Sequence, residues 1–376
     1  MTNWSQLQTL KHFIKENWQQ AGFVQPTPIQ KQAIPSILEE KDVIAQSPTG
    51  SGKTLAYIIP ILEQIDESKR DLQSVIIVPS RELAMQILEV IQKFTIGSDI
   101  KAAAFIGGAN IKKQVEKLKV KPHIAVGTPG RIRELIKMKK MKMHQVKTIV
   151  IDEADQLMNQ EHIQDVEAII KSTLKERQLL FFSATITKNT EVKAKSLMKE
   201  DFVHISIENQ RQRGNTDYFY IPCEQREKVE IIRKIMHAHP GRTITYIKNN
   251  EQLEEVALKL TFHGLPVAIL TGDSTKWERK QALKEFRSNK KPLLLTTDVA
   301  ARGLDIENID LIIHYDFPST STQFIHRSGR TGRMGKKGTV ISLVNAKERS
   351  FLKKMSQELK ILMKMKKVAY GKIIDA

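Results

Sequence analysis

The chain has 376 residues, 40% of them hydrophobic, with 60 Lys and Arg against 42 Asp and Glu and a net charge of +18 at pH 7. That length suits two domains of ordinary size. No apolar run approaches the ~20 residues that span a bilayer, no basic-then-apolar leader opens the chain, and a single cysteine excludes an internal disulfide and a Cys-based metal cluster. The basic excess favours a polyanionic partner, nucleic acid ahead of an anionic membrane surface. The thiol content fits a reducing cytoplasm.

Short apolar runs at 43–45, 75–78, 102–105, 124–126, 148–151 and 179–182 are predicted strands. They are continuous rather than alternating, as strands covered on both faces of a parallel sheet are. Helical stretches such as 82–94 and 111–118 lie between them, so the first half reads as an α/β doubly wound sheet. The Lys/Met-rich stretch 137–144 reads as a solvated helix end and loop whose Met side chains cover apolar edges. Periodicity then stops over 207–216, a polar linker. Strands resume at 243–247, 267–270, 293–296, 311–314 and 340–343, with helices at 252–262, 277–287 and 322–327. A last helix is expected over 351–364, with Phe351, Met355, Leu359 and Leu362 at helical spacing. The expected organisation is a domain over 1–206, a linker over 207–216 and a domain over 217–376.

Ser47-Pro-Thr-Gly-Ser-Gly-Lys-Thr54 follows a predicted strand and precedes the helical run 55–64. That is the strand–loop–helix setting of a phosphate-binding loop. Gly50 and Gly52 let backbone N–H groups turn onto phosphate oxygens, with Gln46, Ser47, Pro48, Thr49 and Ser51 completing the cradle. Lys53 reaches the β and γ phosphates, and Thr54 is a candidate Mg2+ ligand. Ser47 stands where the strict motif has Gly. Thr148-Ile-Val-Ile-Asp-Glu-Ala-Asp155 is an apolar strand ending in three carboxylates, at the edge where open α/β sheets hold ligands. Such a cluster seeks a cation. Asp152 is the candidate to hold Mg2+, directly or through water, and Glu153 to orient and deprotonate the attacking water. These two stretches imply binding and hydrolysis of a nucleoside triphosphate.

The full set of motifs, in order, resembles the DEAD-box ATP-dependent RNA helicases. Gly22-Phe-Val-Gln-Pro-Thr-Pro-Ile-Gln30, with Trp4 upstream, resembles the Q motif. The phosphate loop is followed by Pro79-Ser-Arg-Glu-Leu-Ala84, Gly107-Gly108, Thr128-Pro-Gly-Arg131, Asp152-Glu-Ala-Asp155 and Ser183-Ala-Thr185. Thr297-Asp-Val-Ala-Ala-Arg-Gly-Leu-Asp305 and His326-Arg-Ser-Gly-Arg-Thr-Gly-Arg333 complete the series.

The resemblance implies two tandem RecA-like domains, with ATP and Mg2+ as ligands. Gln30 would read the adenine edge with both ends of its amide, Phe23 would stack on the base, Thr27 would join the nucleotide set and Asp305 would touch the ribose. Arg330 and Arg333 would act as arginine fingers, and His326 would couple to Asp155, Ser183 and Thr185. RNA would meet Arg81, Gly108, Thr128 and Arg131 in the first domain and Gly272, Thr297 and the Asp298 segment in the second. These groups suit phosphates and 2′-hydroxyls rather than bases. By analogy with simple bacterial-type members, a cytoplasmic role in ribosome assembly or RNA decay is expected, with ribosomal precursor particles as candidate partners and a monomer as the default state. Three departures fall on the second-domain RNA face: Thr271 where His is frequent, Lys276 where Gln is usual, and Tyr246-Ile-Lys-Asn-Asn in place of Phe-x-x-Thr. They leave open an ATP-gated RNA clamp as the alternative to a duplex-separating enzyme.

Overall fold

A computed structural model describes residues 8–207, 216–301, 309–332 and 336–376. The chain divides into two compact units, Met1–Glu208 and Asn209–Ala376.

The first unit holds strands β1 (Val43–Gln46), β2 (Ser74–Ile77), β3 (Ala102–Phe105), β4 (Ile124–Gly127), β5 (Thr148–Asp152), β6 (Gln178–Ser183) and β7 (Val203–Ser206). They form one sheet in the order β3-β4-β2-β5-β6-β1-β7. Every pairing is parallel. Successive residues of β5 enter opposite cores: Val150 packs with Ile34, Ile59 and Ile91, whereas Ile149 and Ile151 pack with Ile132, Leu135 and Ile169. That division explains the unbroken apolar runs, because a strand's side chains alternate faces and here both faces are covered. Helices Lys53–Gln64 and Arg81–Phe94 supply the first core, and Pro129–Lys137 and Ile163–Lys171 the second. Met141 and Met143 of the Lys/Met-rich stretch lie in that second core at 3% and 4% exposure.

The order matters for the site. Strands β1, β6 and β5 are neighbours and point the same way, so the phosphate loop after β1, Ser183 ending β6 and the carboxylates after β5 share one sheet edge.

The second unit holds β8 (Thr216–Pro222), β9 (Thr243–Tyr246), β10 (Val267–Leu270), β11 (Leu293–Thr296), β12 (Leu311–His314), β13 (Gly338–Val344), β14 (Met363–Ala369) and β15 (Lys372–Asp375). Their order is β10-β11-β9-β12-β13-β8-β14-β15. All pairs are parallel except the β14–β15 hairpin. The two α/β doubly wound sheets expected from the sequence are thus present.

The expected last helix over 351–364 is shorter and earlier. It spans Glu348–Leu359 and stops at Lys360, whose φ of 52° is left-handed. Met355 is buried at 1%, but Leu362 is 74% exposed and Met363 begins β14 against Tyr218. The run Ile361-Leu-Met-Lys-Met-Lys-Lys-Val368 carries apolar residues at both helical and strand spacing, and pairing with β8 decides between them. Of the expected linker, 208–215 lie outside the described residues. At its ends, Ile207 N donates to Gln46 O at 2.8 Å and Thr216 already pairs with Gly338 in β8. Among the described residues no helix is long and apolar enough to cross a membrane.

Candidate nucleotide and RNA sites

The phosphate loop is tied to its neighbours by main chain and side chain. Ser47 N donates to Ser183 O at 3.0 Å, and Ser47 Oγ donates to Ser51 Oγ at 2.7 Å. Lys53 Nζ donates to the carbonyls of Ser47 at 2.7 Å and Pro48 at 3.0 Å. Gly50 and Gly52 have φ of 75° and 91°. A Cβ on Gly52 would lie 2.6 Å from Gln30 Nε2 and 3.0 Å from Thr27 Oγ1, so the loop needs glycine there for space as well as for backbone freedom.

Thr27 and Gln30 form a capping box at the start of helix Pro28–Leu38. Gln30 Oε1 accepts from Thr27 N at 2.9 Å, and Gln30 Nε2 donates to Gly52 O at 3.1 Å. The amide therefore fastens the Q-motif segment to the phosphate loop. Its second proton and second lone pair are what it can offer a base. Phe23 is 41% exposed, with its ring centroid 5.1 Å from that of Trp18.

Asp152 ends β5 with 4% exposure. Its Oδ1 accepts from Glu153 N at 2.9 Å and its Oδ2 accepts from Tyr57 Oη at 2.9 Å. Burial, then the neighbouring Glu153 charge, push the Asp152 carboxyl up to about 6 against the opposing pull of Lys53 and Tyr57. Burial, then the Asp152 charge, raise the Tyr57 hydroxyl well above its ordinary range, which keeps it a proton donor to the carboxylate. A buried carboxylate beside a second one is the donor set a hard divalent cation takes, and Asp152 with Thr54 fits Mg2+ on that ground. Glu153 turns the chain with a left-handed φ of 53°, a backbone cost of about 1 kcal/mol kept where it serves the turn from strand to carboxylate cluster. Asp155 lies one helical step on. Its Oδ1 accepts from Ser183 Oγ at 2.7 Å and its Oδ2 from Thr185 Oγ1 at 2.5 Å. The three expected coupling residues of this unit are thus one hydrogen-bonded group.

The expected RNA residues of the first unit also meet. The Arg81 guanidinium packs on Gly108, where a Cβ would lie 2.2 Å from Nη1, and Gly108 has a φ of 69°. Gly107 N donates to Thr128 Oγ1 at 3.3 Å, and Arg131 Nη1 donates to Ala109 O at 3.0 Å. Thr128 is the N-cap of helix Pro129–Lys137. The ends of the neighbouring strands β2, β3 and β4 thereby gather Arg81, Gly108, Thr128 and Arg131 into one surface beside a helix N-terminus.

In the second unit Thr271 faces its own turn. Its N–H donates to Ser274 Oγ at 3.0 Å, its Oγ1 lies 3.1 Å from the same atom, and it is only 7% exposed. Gly272 beside it is exposed. Thr297 is 5% exposed and accepts from Ala300 N at 3.4 Å. The Asp298 carboxylate, in the segment expected near RNA, is committed to the fold. It accepts from Arg327 Nε at 2.7 Å, Arg327 Nη2 at 2.6 Å and Gln323 Nε2 at 2.6 Å. Arg327 is 3% exposed, donates Nη1 to Asp316 O at 2.7 Å and lies 5.1 Å over the Tyr246 ring. His326 and Arg330 flank it at the end of helix Ser321–Ser328, both half-buried. Trp4, Asp305 and Arg333 lie outside the described residues.

Sequence reasoning missed Tyr57 and Arg327. Tyr57 is one helical turn after Lys53, a spacing that puts both on one helix face and could have signalled it. Arg327 carried no such signal, since its partner Asp298 is 29 positions away.

Residues 27–192 match the DEAD/DEAH box helicase family model, and residues 227–335 match the helicase conserved C-terminal domain. The chain is 48% identical over 370 residues to the probable ATP-dependent RNA helicase YfmL of Bacillus subtilis, covering 98% of each. It is 46% identical over 369 residues to the DEAD-box ATP-dependent RNA helicase CshC of Bacillus cereus, covering 98% of this chain and 95% of the relative. Among solved structures it is similar to S. cerevisiae Dbp5 bound to RNA and ADP BeF3, with a TM-score of 0.87 and 27% identity over 97% of this chain and 95% of that one.

Proposed function

The chain belongs to the DEAD-box ATP-dependent RNA helicases, and on that premise we propose that it couples RNA-stimulated ATP hydrolysis to local separation of short RNA duplexes or remodelling of ribonucleoprotein. One observation carries the reading: a phosphate loop, an acidic strand end and a Ser-Ala-Thr segment are hydrogen-bonded to one another at adjacent strand ends.

In this reading Lys53 Nζ exchanges its carbonyl partners for β- and γ-phosphate oxygens, and the loop N–H groups take the rest. Thr54 and Asp152 would hold Mg2+, which would supply charge neutralisation on the phosphate oxygens. Glu153 orients the attacking water and takes its proton as the water oxygen bonds to the γ phosphorus and the bond to the ADP oxygen breaks. Arg330 and Arg333 stabilise the transferred charge, and His326 relays RNA occupancy to the Asp155–Ser183–Thr185 group. Asp305 meets the ribose, while Gln30, Thr27 and Phe23 meet the adenine. RNA is held through its backbone by Arg81, Gly108, Thr128, Arg131, Gly272 and Thr297. The chain acts as a cytoplasmic monomer on ribosomal precursor particles, with residues 1–206 and 217–376 as its domains and 207–216 as their hinge.

The clamp reading is favoured by one observation, the Thr271 side chain turned into its own turn rather than outward. Strand displacement on a short RNA duplex decides between them. ATP-dependent separation supports the enzyme; ATP-dependent retention without separation supports the clamp. Glu153→Gln should bind ATP yet lose turnover, and retained turnover would refute the assigned base.

A further inference from the structure

The second unit ends in a hairpin that none of the roles above use. Strand β14 runs parallel to β8 and β15 returns antiparallel to it. Its two faces differ. Lys366, Val368, Ile373 and Asp375 share the inner face: Val368 and Ile373 pack on the core around Ile232 and Ile235, and Lys366 pairs with Asp375 at 2.7 Å over the Phe219 ring. The outer face presents Lys367 and Lys372, both exposed. At the tip stand Tyr370, 96% exposed, and Gly371. No acidic residue occurs between Glu358 and Asp375, whereas Lys360, Lys364, Lys366, Lys367 and Lys372 do.

Tyr370 combines a left-handed backbone with full exposure of its ring. Its φ is 54° and that of Gly371 is 69°, the left-handed pair of a type I′ turn. Asn, Asp or Gly suit the first of those positions, and an aromatic residue there is strained. It is not compensated by burial, since 96% of the residue is in solvent. A large aromatic group held out at a hairpin tip between two lysines is a stacking platform flanked by phosphate-binding charges.

We infer that the β14–β15 hairpin is an auxiliary contact for single-stranded RNA, with Tyr370 stacking on a base and Lys367 and Lys372 meeting the backbone. The inference rests on the reading of the chain as an RNA-dependent ATPase. Because β8 to β14 are parallel, the tip lies at the same sheet edge as Gly272 and Thr297, which follow β10 and β11. It is five strands away from β11, about 24 Å at ~4.8 Å per strand. An RNA that fills only the core contacts therefore cannot reach it, and a longer one can.

The test uses the full chain with Tyr370→Asn and with Lys367→Gln/Lys372→Gln. Tyr370→Asn suits the turn, so the hairpin should remain folded and its thermal midpoint should not fall. RNA binding is read by fluorescence anisotropy with a non-hydrolysable ATP analogue, on a short oligouridine and on one several-fold longer. Each variant should bind the long oligouridine at least about threefold more weakly, with binding to the short one and RNA-saturated kcat unchanged. The double lysine variant should also lower the salt slope on the long RNA by about 1.4, at about 0.7 per lost phosphate contact. Equal affinity for the long RNA, or an equal loss at both lengths, overturns the inference. If wild-type ATPase is not stimulated by RNA of either length, it is the underlying reading that fails.

Discussion

Replacing Asp152 by Asn should stabilise the first unit while abolishing ATP turnover. The carboxyl is displaced from 3.8 to about 6, chiefly by burial, so keeping it ionised in the fold at neutral pH costs about 3 kcal/mol, at about 1.4 kcal/mol per tenfold in acidity. Asn is isosteric and uncharged. Its side-chain oxygen can still accept from Glu153 N, and Tyr57 Oη can accept from its amide instead of donating. The folded state binds the Asp152 proton more tightly than the unfolded chain does. Wild-type stability therefore falls as pH rises from about 4 to about 6 and stays lower above that, and the advantage of Asn grows over the same window. In a unit of this size 3 kcal/mol corresponds to about 6–12 °C in melting midpoint. Calorimetry of both proteins in EDTA without nucleotide, across that pH range, measures the gap. A midpoint for Asp152→Asn equal to or below wild type at neutral pH would refute the argument that burial strains this carboxylate.

Three further outcomes follow from the same geometry. Tyr57→Phe leaves Asp152 Oδ2 without its donor, at a cost of about 1.5–3 kcal/mol for a hydrogen bond to a charged group. In urea unfolding the Tyr57→Phe and Asp152→Asn effects should be non-additive, and strict additivity would deny the contact. Gly52→Ala places a methyl 2.6 Å from Gln30 Nε2 at a φ of 91°, so nucleotide titration should show a loss of at least about tenfold in affinity. Arg327→Ala leaves the half-buried Asp298 carboxylate without its charge partner, and the second unit should lose about 1.5–3 kcal/mol in denaturant unfolding. Arg327→Lys should restore little, because one ammonium cannot replace the fork that reaches Asp298 and Asp316 together.

The buried strands were legible because burial on both faces writes itself as an unbroken apolar run. Strands β3, β10, β11 and β12 fall where the sequence places them, to the residue. The edges were not legible. Strand β7 and the β14–β15 hairpin are half-exposed and mix charge with apolar residues, so their pairing is decided by neighbours far along the chain. The site divides in the same way. Motif residues contiguous in sequence, such as the phosphate loop and Asp152–Asp155, announce their chemistry. The contacts that brace them do not: Tyr57 to Asp152 spans 95 positions, and Gln30 to Gly52 spans 22. A residue such as Asp298, legible only as part of a motif, proved to be held by Arg327.

In the proposed function, ATP hydrolysis answers to RNA. Steady-state ATPase of the full chain, with and without saturating single-stranded RNA, tests it most directly. Turnover should be slow without RNA and strongly stimulated by it, with the stimulation lost in Arg330→Ala while ATP affinity is retained. Equal turnover with and without RNA would contradict it.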